Sequence, residues 1–336
     1  MPTRRSWWAL GAGVLLAGVL LWWVLRDVHW GDLRSHISAA SPALIVLSVL
    51  IATATFPLRL IRWRLLLRAD DGSALSPLPL WHAIAIGFMA NNILPFRMGE
   101  LMRTYAASRL AGARFSASLS SVAVERVFDA LTVVALLAIG LLCAGLPAGV
   151  ELFGTPVARV TTISGVLVVL ALGAGIAVVS FPRVAERIIQ RLVPAEGLAT
   201  RLIQLVEGIR HGMGVLRSPS RASGVVLWSV IMWLVNAASF WVMFRAFALP
   251  VGFAGALLMQ GVLVLGIAAP TTPGFVGVFE AIIKAVLLLF GVTADGAVAY
   301  AVTYHLTTFL PIVLLGAWSL VRSSGQLGSF RGAPPS

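Results

Sequence analysis

Cysteine is nearly absent from this chain: Cys143 is the only one in 336 residues, so neither a disulfide framework nor a cysteine metal site can form. Charge is scarce as well, at 11% of residues against 59% hydrophobic. Catalytic signatures are missing too. No Gly-rich loop runs into Lys-Ser or Lys-Thr, which excludes a P-loop ATPase. No His-Glu-x-x-His run, Cys/His cluster or Gly-x-Ser-x-Gly elbow occurs, so neither metal hydrolysis nor serine acyl transfer is signalled. From these absences the expectation is a protein that is not an enzyme, with no catalytic residue, metal or cofactor.

What the chain has instead is apolar length. Runs at roughly 7 to 25, 43 to 60, 118 to 142, 159 to 180, 223 to 247 and 297 to 321 are each about 20 residues, enough to cross ~30 Å of hydrocarbon. The fold class is therefore all-α, a polytopic membrane helix bundle. The first run follows Arg4 and Arg5 in the manner of a signal peptide. It is long for one, and no small-x-small cleavage site follows, so it reads as a retained anchor. Trp7, Trp8, Trp22 and Trp23 mark its ends as interfacial aromatics.

The formal net charge of +12 does not imply a nucleic-acid partner, because the arginines border apolar spans rather than forming a soluble basic face. With the N-terminus inside, the whole excess falls on inner segments. These hold Arg4 and Arg5; Arg59, Arg62, Arg64 and Arg68 against Asp70 and Asp71; Arg109 and Arg114; seven arginines against three glutamates between 182 and 222; and Arg322 with Arg331. The outer segments cancel. The expected location is the inner cell membrane with both termini cytoplasmic.

Two further regions, 78 to 111 and 254 to 290, are divided by Pro/Gly breaks and read as broken hairpins. Irregular backbone at membrane depth is tolerated only where protein or a wet cavity satisfies it, so breaks at corresponding places in two halves point to a site. On this layout the hairpins open from opposite sides, a possible inverted repeat. The segment 181 to 222 carries Val184, Ile188, Leu192 and then Leu198, Leu202, Leu205 and Ile209 at helical spacing, and reads as a cytoplasmic amphipathic linker on the membrane surface. The integral membrane domain is thus 1 to 321, with 322 to 336 a disordered tail.

Eight ionisable residues fall at expected membrane depth: Arg97, Glu100, Arg103, Glu125, Arg126, Asp129, Glu280 and Lys284. Unpaired charges there cost about 2.5 to 3.5 kcal/mol, so they pair or face water. Spacings of three and four place Arg97 with Glu100 and Arg103, Glu125 with Asp129, and Glu280 with Lys284 on common helical faces. They suit either a hydrophilic cavity, with arginine forks for phosphate, or ion pairs that only fix packing. Asn91 and Asn92 add amide groups. A half-helix beginning near Gly274 would aim free N–H groups at an anion, and Gly99 and Gly277 permit close backbone approach. His305, beside Tyr304, offers a proton relay or a packing hydrogen bond.

The runs Asn91-Asn92-Ile93-Leu94-Pro95-Phe96-Arg97-Met98-Gly99-Glu100, Val124-Glu125-Arg126-Val127-Phe128-Asp129 and Pro273-Gly274-Phe275-Val276-Gly277-Val278-Phe279-Glu280, with Arg103 after the first, resemble the lysylphosphatidylglycerol synthase transmembrane family, also described as flippase-like. The resemblance implies an integral membrane domain that handles lipid in a cavity built around these motifs. In full-length synthases such a domain moves aminoacylated lipid between leaflets, and a separate soluble domain transfers lysine from charged tRNA. Arg322 to Ser336 is too short for that soluble domain, so synthase activity is not expected here.

The leading expectation is a lipid translocase without an ATPase motif. Its partner would be a membrane lipid with an anionic or phosphate-containing head group, such as a phospholipid, aminoacyl-lipid or lipid-linked sugar. The substrate-binding set would be Asn91, Asn92, Arg97, Glu100, Arg103, Glu125, Arg126, Asp129, Gly274, Gly277, Glu280, Lys284, Tyr304 and His305. The alternatives are the membrane subunit of a lipid-modifying transferase, with a soluble transferase partner, and a secondary transporter of a soluble anion.

Overall fold

A computed structural model describes residues 18–19, 21–22, 24–25, 29–69, 71–94, 98–146, 151–152, 155–156, 159, 166, 218–268 and 272–328. Most of the expected spans at 7 to 25 and 159 to 180, nearly all of the linker at 181 to 222, and Arg97 lie outside the described residues.

The described chain is helical apart from a two-residue antiparallel pair, β1 (Glu151–Leu152) with β2 (Thr155–Pro156). Its helices are α1 (Trp30–Ala39), α2 (Pro42–Thr53), α3 (Thr55–Leu66), α4 (Pro77–Ile93), α5 (Gly99–Ala111), α6 (Phe115–Cys143), α7 (Pro219–Ala246), α8 (Phe253–Gly266), α9 (Val278–Leu288) and α10 (Ala294–Gly328). Among the described residues, four stretches are long and apolar enough to cross a membrane: Pro42–Leu66, Phe115–Cys143, Ser220–Ala246 and Ala294–Leu327. This is a multi-pass helical membrane bundle.

Local chemistry sets the ends. Pro77 and Pro219 open α4 and α7 at first-turn positions, where a missing N–H costs nothing. α2 and α3 form one interrupted span, divided at Ala54. The cause is Pro57: it has no N–H for the carbonyl of Thr53, and its ring crowds that carbonyl. In the same way Pro311, inside α10, leaves the carbonyl of Thr307 without its helical donor.

Both broken hairpins are present. α4 gives way to α5 across 94 to 98, and α8 to α9 through a 3-10 turn at Pro273–Phe275. The hairpins exchange partners crosswise: α4 packs along α10, and α8 packs along α6. Glycine makes both crossings possible. A Cβ on Gly140 of α6 would sit 2.6 Å from the Leu258 amide nitrogen of α8, and one on Gly316 of α10 would sit 2.7 Å from the Ala85 carbonyl oxygen of α4. The two contacts are equivalent under exchange of the halves.

The core has a lobe for each half. One joins Phe56, Trp63 and Leu67 to Leu80, Ile84, Ala106 and Val122. The other joins Phe240, Met243 and Phe244 to Leu258, Ile283, Val286 and Tyr300.

Three boundaries differ from the sequence reading. The span expected to end at 60 runs to Leu66, carrying Arg59 and Arg62 into the protein, both buried. The tail expected from 322 is helical to Gly328. Trp30–Ala39, expected as an outer segment, is a short helix, with the Trp30 and Ile37 side chains exposed.

Candidate functional site

α3, α5, α6 and α7 converge on a charged network. Arg103 of α5 donates from both terminal nitrogens to Glu125 of α6, at 2.8 and 2.9 Å, and its guanidinium lies 3.7 Å from the Trp63 ring centroid. Arg62 of α3, fully buried, donates to both oxygens of Asp129 and to Ser229 Oγ, and stands 3.2 Å from Glu125. Arg126 bridges Glu125 at 2.8 Å, Asp129 at 3.0 Å and Glu100 at 3.7 Å. The Trp233 indole N–H donates to Asp129 at 2.9 Å. Glu125 and Asp129 thus each face more than one donor, the geometry that lets Coulomb attraction repay desolvation.

Arg59, one turn before Arg62, behaves differently. It is 8% exposed, yet among the described residues it has no carboxylate partner; its Nε is without a hydrogen-bond partner, as are those of Arg62, Arg103 and Arg126. Its guanidinium carbon lies 4.5 Å from the Phe88 ring centroid and 5.9 Å from that of Trp233. Aromatic faces attract the cation without taking up its N–H donors.

This network forms one wall of a cavity of about 370 Å³. Arg59, Arg126 and Asp129 line that wall; Asn91 and Asn92 stand at the first break, and Phe275, Phe279, Tyr304 and His305 come from the second half. The breaks therefore meet. The would-be Cβ of Gly274 lies 3.4 Å from the Asn92 carbonyl oxygen, and α4 contacts the 3-10 turn. That turn holds Gly274 at φ 64°, Gly277 at φ 84° and, against its steric preference, Phe275 at φ 60°. The Thr272 hydroxyl donates to the Val276 carbonyl at 2.7 Å, and the Phe275 N–H donates to Thr272, fixing the turn.

On the opposite side Glu280 and His305 are hydrogen-bonded, and His305 stacks on Phe279 with centroids 4.2 Å apart. Tyr304 is hydrogen-bonded to Ser239 at 2.7 Å.

Of the expected site residues, the structure brings Asn91, Asn92, Arg126, Asp129, Tyr304 and His305 to the cavity. Glu100, Arg103 and Glu125 stand behind it in the ion network. Asn91 also accepts the Gly99 N–H at 2.8 Å. Gly99 serves a helix crossing, since a Cβ there would collide with the Gly87 carbonyl oxygen.

Two local expectations change. The second half-helix begins at Val278, not near Gly274, because the left-handed glycines keep the chain out of a helix. Its Gly277 N–H is taken by Glu280 at 2.7 Å, so this helix start already carries its own anion. Glu280 and Lys284 share a helical face, yet Glu280 turns to His305 and the Lys284 ammonium donates to the Val24 carbonyl at 2.9 Å.

Arg59, Arg62, Trp233 and Ser229 were missed as site residues. The available signal was that Arg59 and Arg62, three apart, continue an apolar span and match Glu125 and Asp129, four apart, in charge and spacing.

Comparison with known proteins agrees with this architecture. The family model described as "Lysylphosphatidylglycerol synthase TM region" matches residues 10–316. A protein named "Glycosyltransferase AglD", from Haloferax volcanii, is 26% identical over 94% of this chain and 57% of its own length, so the chain spans little more than half of that relative. A protein from Methanothermobacter thermautotrophicus named "UPF0104 membrane protein" is 25% identical over 94% of the chain and 93% of its own length. A second protein of that name and organism is 22% identical with the same coverage. The expectation of a protein that is not an enzyme is overturned by the first of these, a relative with a transferase name that matches almost the whole chain.

Proposed function

Because this chain belongs to the lysylphosphatidylglycerol synthase transmembrane family, we propose that it receives the head group of a phosphate-containing lipid in its cavity and carries it between leaflets. One observation carries the reading: the end of α4 at the first break and the turn of the second line one cavity, with Arg59, Arg126 and Asp129 on one wall and Phe279, Tyr304 and His305 on the other. A phosphate crossing bare hydrocarbon loses its hydration at a cost of tens of kcal/mol on Born estimates. A polar path through the protein replaces that hydration while the acyl or prenyl chains remain in lipid. At about 370 Å³ the cavity suits a head group rather than a whole lipid. The proposed setting is the inner cell membrane with cytoplasmic termini, from the placement of the arginines.

Reconstituted vesicles test this. Labelled phosphatidylglycerol or polyprenyl phosphate should exchange between leaflets faster with the protein than without it, and Arg126→Ala, which also removes the pairs to Glu100, Glu125 and Asp129, should slow the exchange at least about tenfold. Exchange at the protein-free rate for every lipid offered would overturn the reading.

A second reading is favoured by the glycosyltransferase relative, whose length exceeds the matched part. Here the cavity presents a lipid-linked acceptor to a transferase, either a partner or a further part of a longer protein. New covalent lipid species detected by mass spectrometry, with no leaflet exchange, would select it.

A further inference from the structure

Among the described residues of the network, Arg62, Arg103 and Arg126 stand against Glu100, Glu125 and Asp129, three cations against three anions. Arg59 is left over. It is more than nine-tenths buried, lines the cavity, and has no carboxylate partner among the described residues. An isolated buried cation is costly, and the Phe88 and Trp233 rings repay only part of that cost. Because rings accept no N–H hydrogen bond of ordinary strength, they hold the guanidinium in place with its donors unspent. Among the described residues, this wall is one anion short.

We propose that Arg59 is the anion-binding residue of the cavity, and that the group it receives is a singly charged phosphodiester borne on a lipid. This rests on the head-group reading above. The charge follows from the count over the described residues: one negative charge neutralises the wall, whereas a doubly charged monoester leaves it with a net negative charge. A head group with an added ammonium would return a positive charge beside Arg59. The guanidinium fork fits two phosphate oxygens at once. The aromatic walls from Phe88 and Trp233 on one side and Phe279 on the other favour a group attached to apolar chains over a free ion.

The test is lipid binding to the full-length protein in detergent, followed by native mass spectrometry. The probes are phosphatidylglycerol, diacylglycerol, phosphatidic acid and soluble glycerophosphoglycerol, with Arg59→Gln, Arg59→Lys and the exposed Arg245→Gln as variants. Wild type should bind phosphatidylglycerol at least about tenfold more tightly than diacylglycerol, and Arg59→Gln should lose about 10- to 100-fold. Arg59→Lys should recover part of that loss because it restores charge without the fork, and Arg245→Gln should match wild type. Equal binding of phosphatidylglycerol by wild type and Arg59→Gln would overturn the assignment of Arg59, while leaving the head-group reading intact. Tighter binding of phosphatidic acid than of phosphatidylglycerol would overturn the single charge. If only the soluble diester binds, and Arg59→Gln abolishes it, the anion site stands and the lipid reading falls. Should Arg59→Gln fail to fold, wild-type selectivity still decides: diacylglycerol bound as tightly as phosphatidylglycerol would sink the proposal.

Discussion

In the first broken hairpin α4 and α5 cross at Gly87 and Gly99, and Arg62, Arg103 and Arg126 make six ion pairs with Glu100, Glu125 and Asp129 beside them. In the second, α8 and α9 border an aromatic stack in which Phe279 lies on His305 and Tyr304, and its hydrogen-bonded carboxylate is Glu280. The crosswise contacts, α4 on α10 and α8 on α6, give the halves equivalent positions around the cavity. Equivalent backbone has thus been filled with unlike chemistry: the first half provides charge, and the second provides an apolar wall with one capped carboxylate. A site for a molecule with a polar head and apolar tails needs such an unequal pair of walls.

The largest effect should come from breaking the charged wall. Glu125→Gln leaves Arg62 and Arg103 facing a neutral amide in a buried site, which should cost about 3 to 5 kcal/mol. Thermal unfolding of the purified protein in detergent measures this as a large fall in midpoint. The equivalent test in the second half, Glu280→Gln, should cost only about 1 to 2 kcal/mol, because the amide oxygen still accepts the Gly277 N–H and one ordinary hydrogen bond to His305 is at stake. Equal losses would mean that both walls depend on charge and that the contrast drawn here is false.

The glycine crossings sharpen the comparison at smaller scale. At Gly140 a Cβ meets only backbone of α8, at Leu258, Ala254 and Leu257. At Gly316 the nearest atoms are the Met89 Cβ, which the α4 backbone holds in place, and the Ala85 carbonyl oxygen at 2.7 Å, so the approach there is closer still. Gly316→Ala should therefore cost about 2 to 3 kcal/mol and Gly140→Ala about 1 to 2. Unfolding midpoints in the reverse order would show that α6 and α8 form the stiffer contact.

These contrasts were only partly legible in the sequence. Apolar run lengths placed α6, α7 and α10 well, because a span must reach across the hydrocarbon whatever it packs against. The Pro/Gly runs placed both breaks for a local reason as well. Arg59 and Arg62 were misplaced because hydropathy ends a span at the first arginine, and only tertiary pairing with Glu125 and Asp129 shows that the helix continues to Leu66. Glu280 was matched to Lys284 by helical spacing, but its partner His305 comes from another helix, 25 residues away. Spacing within one element cannot reveal such a partner. Trp30–Ala39 escaped notice because its mixed composition announces neither a span nor an amphipathic stripe.

The smallest effect tests whether the second half takes part in recognition. Tyr304 lines the cavity, and its hydroxyl is hydrogen-bonded to Ser239, whose own hydroxyl also donates to the Asn236 carbonyl at 2.7 Å. Tyr304→Phe therefore removes one hydrogen bond and leaves Ser239 satisfied. The ring keeps its place against Phe240 and Tyr300. The expected cost is about 0.5 to 1 kcal/mol in stability, at the low end for a buried hydrogen bond. Phosphatidylglycerol binding should stay within about twofold of wild type, since no charge changes and Arg59 keeps its donors. A drop in binding as large as that of Arg59→Gln, with stability unchanged, would put part of anion recognition on the aromatic wall and end the division of labour between the halves.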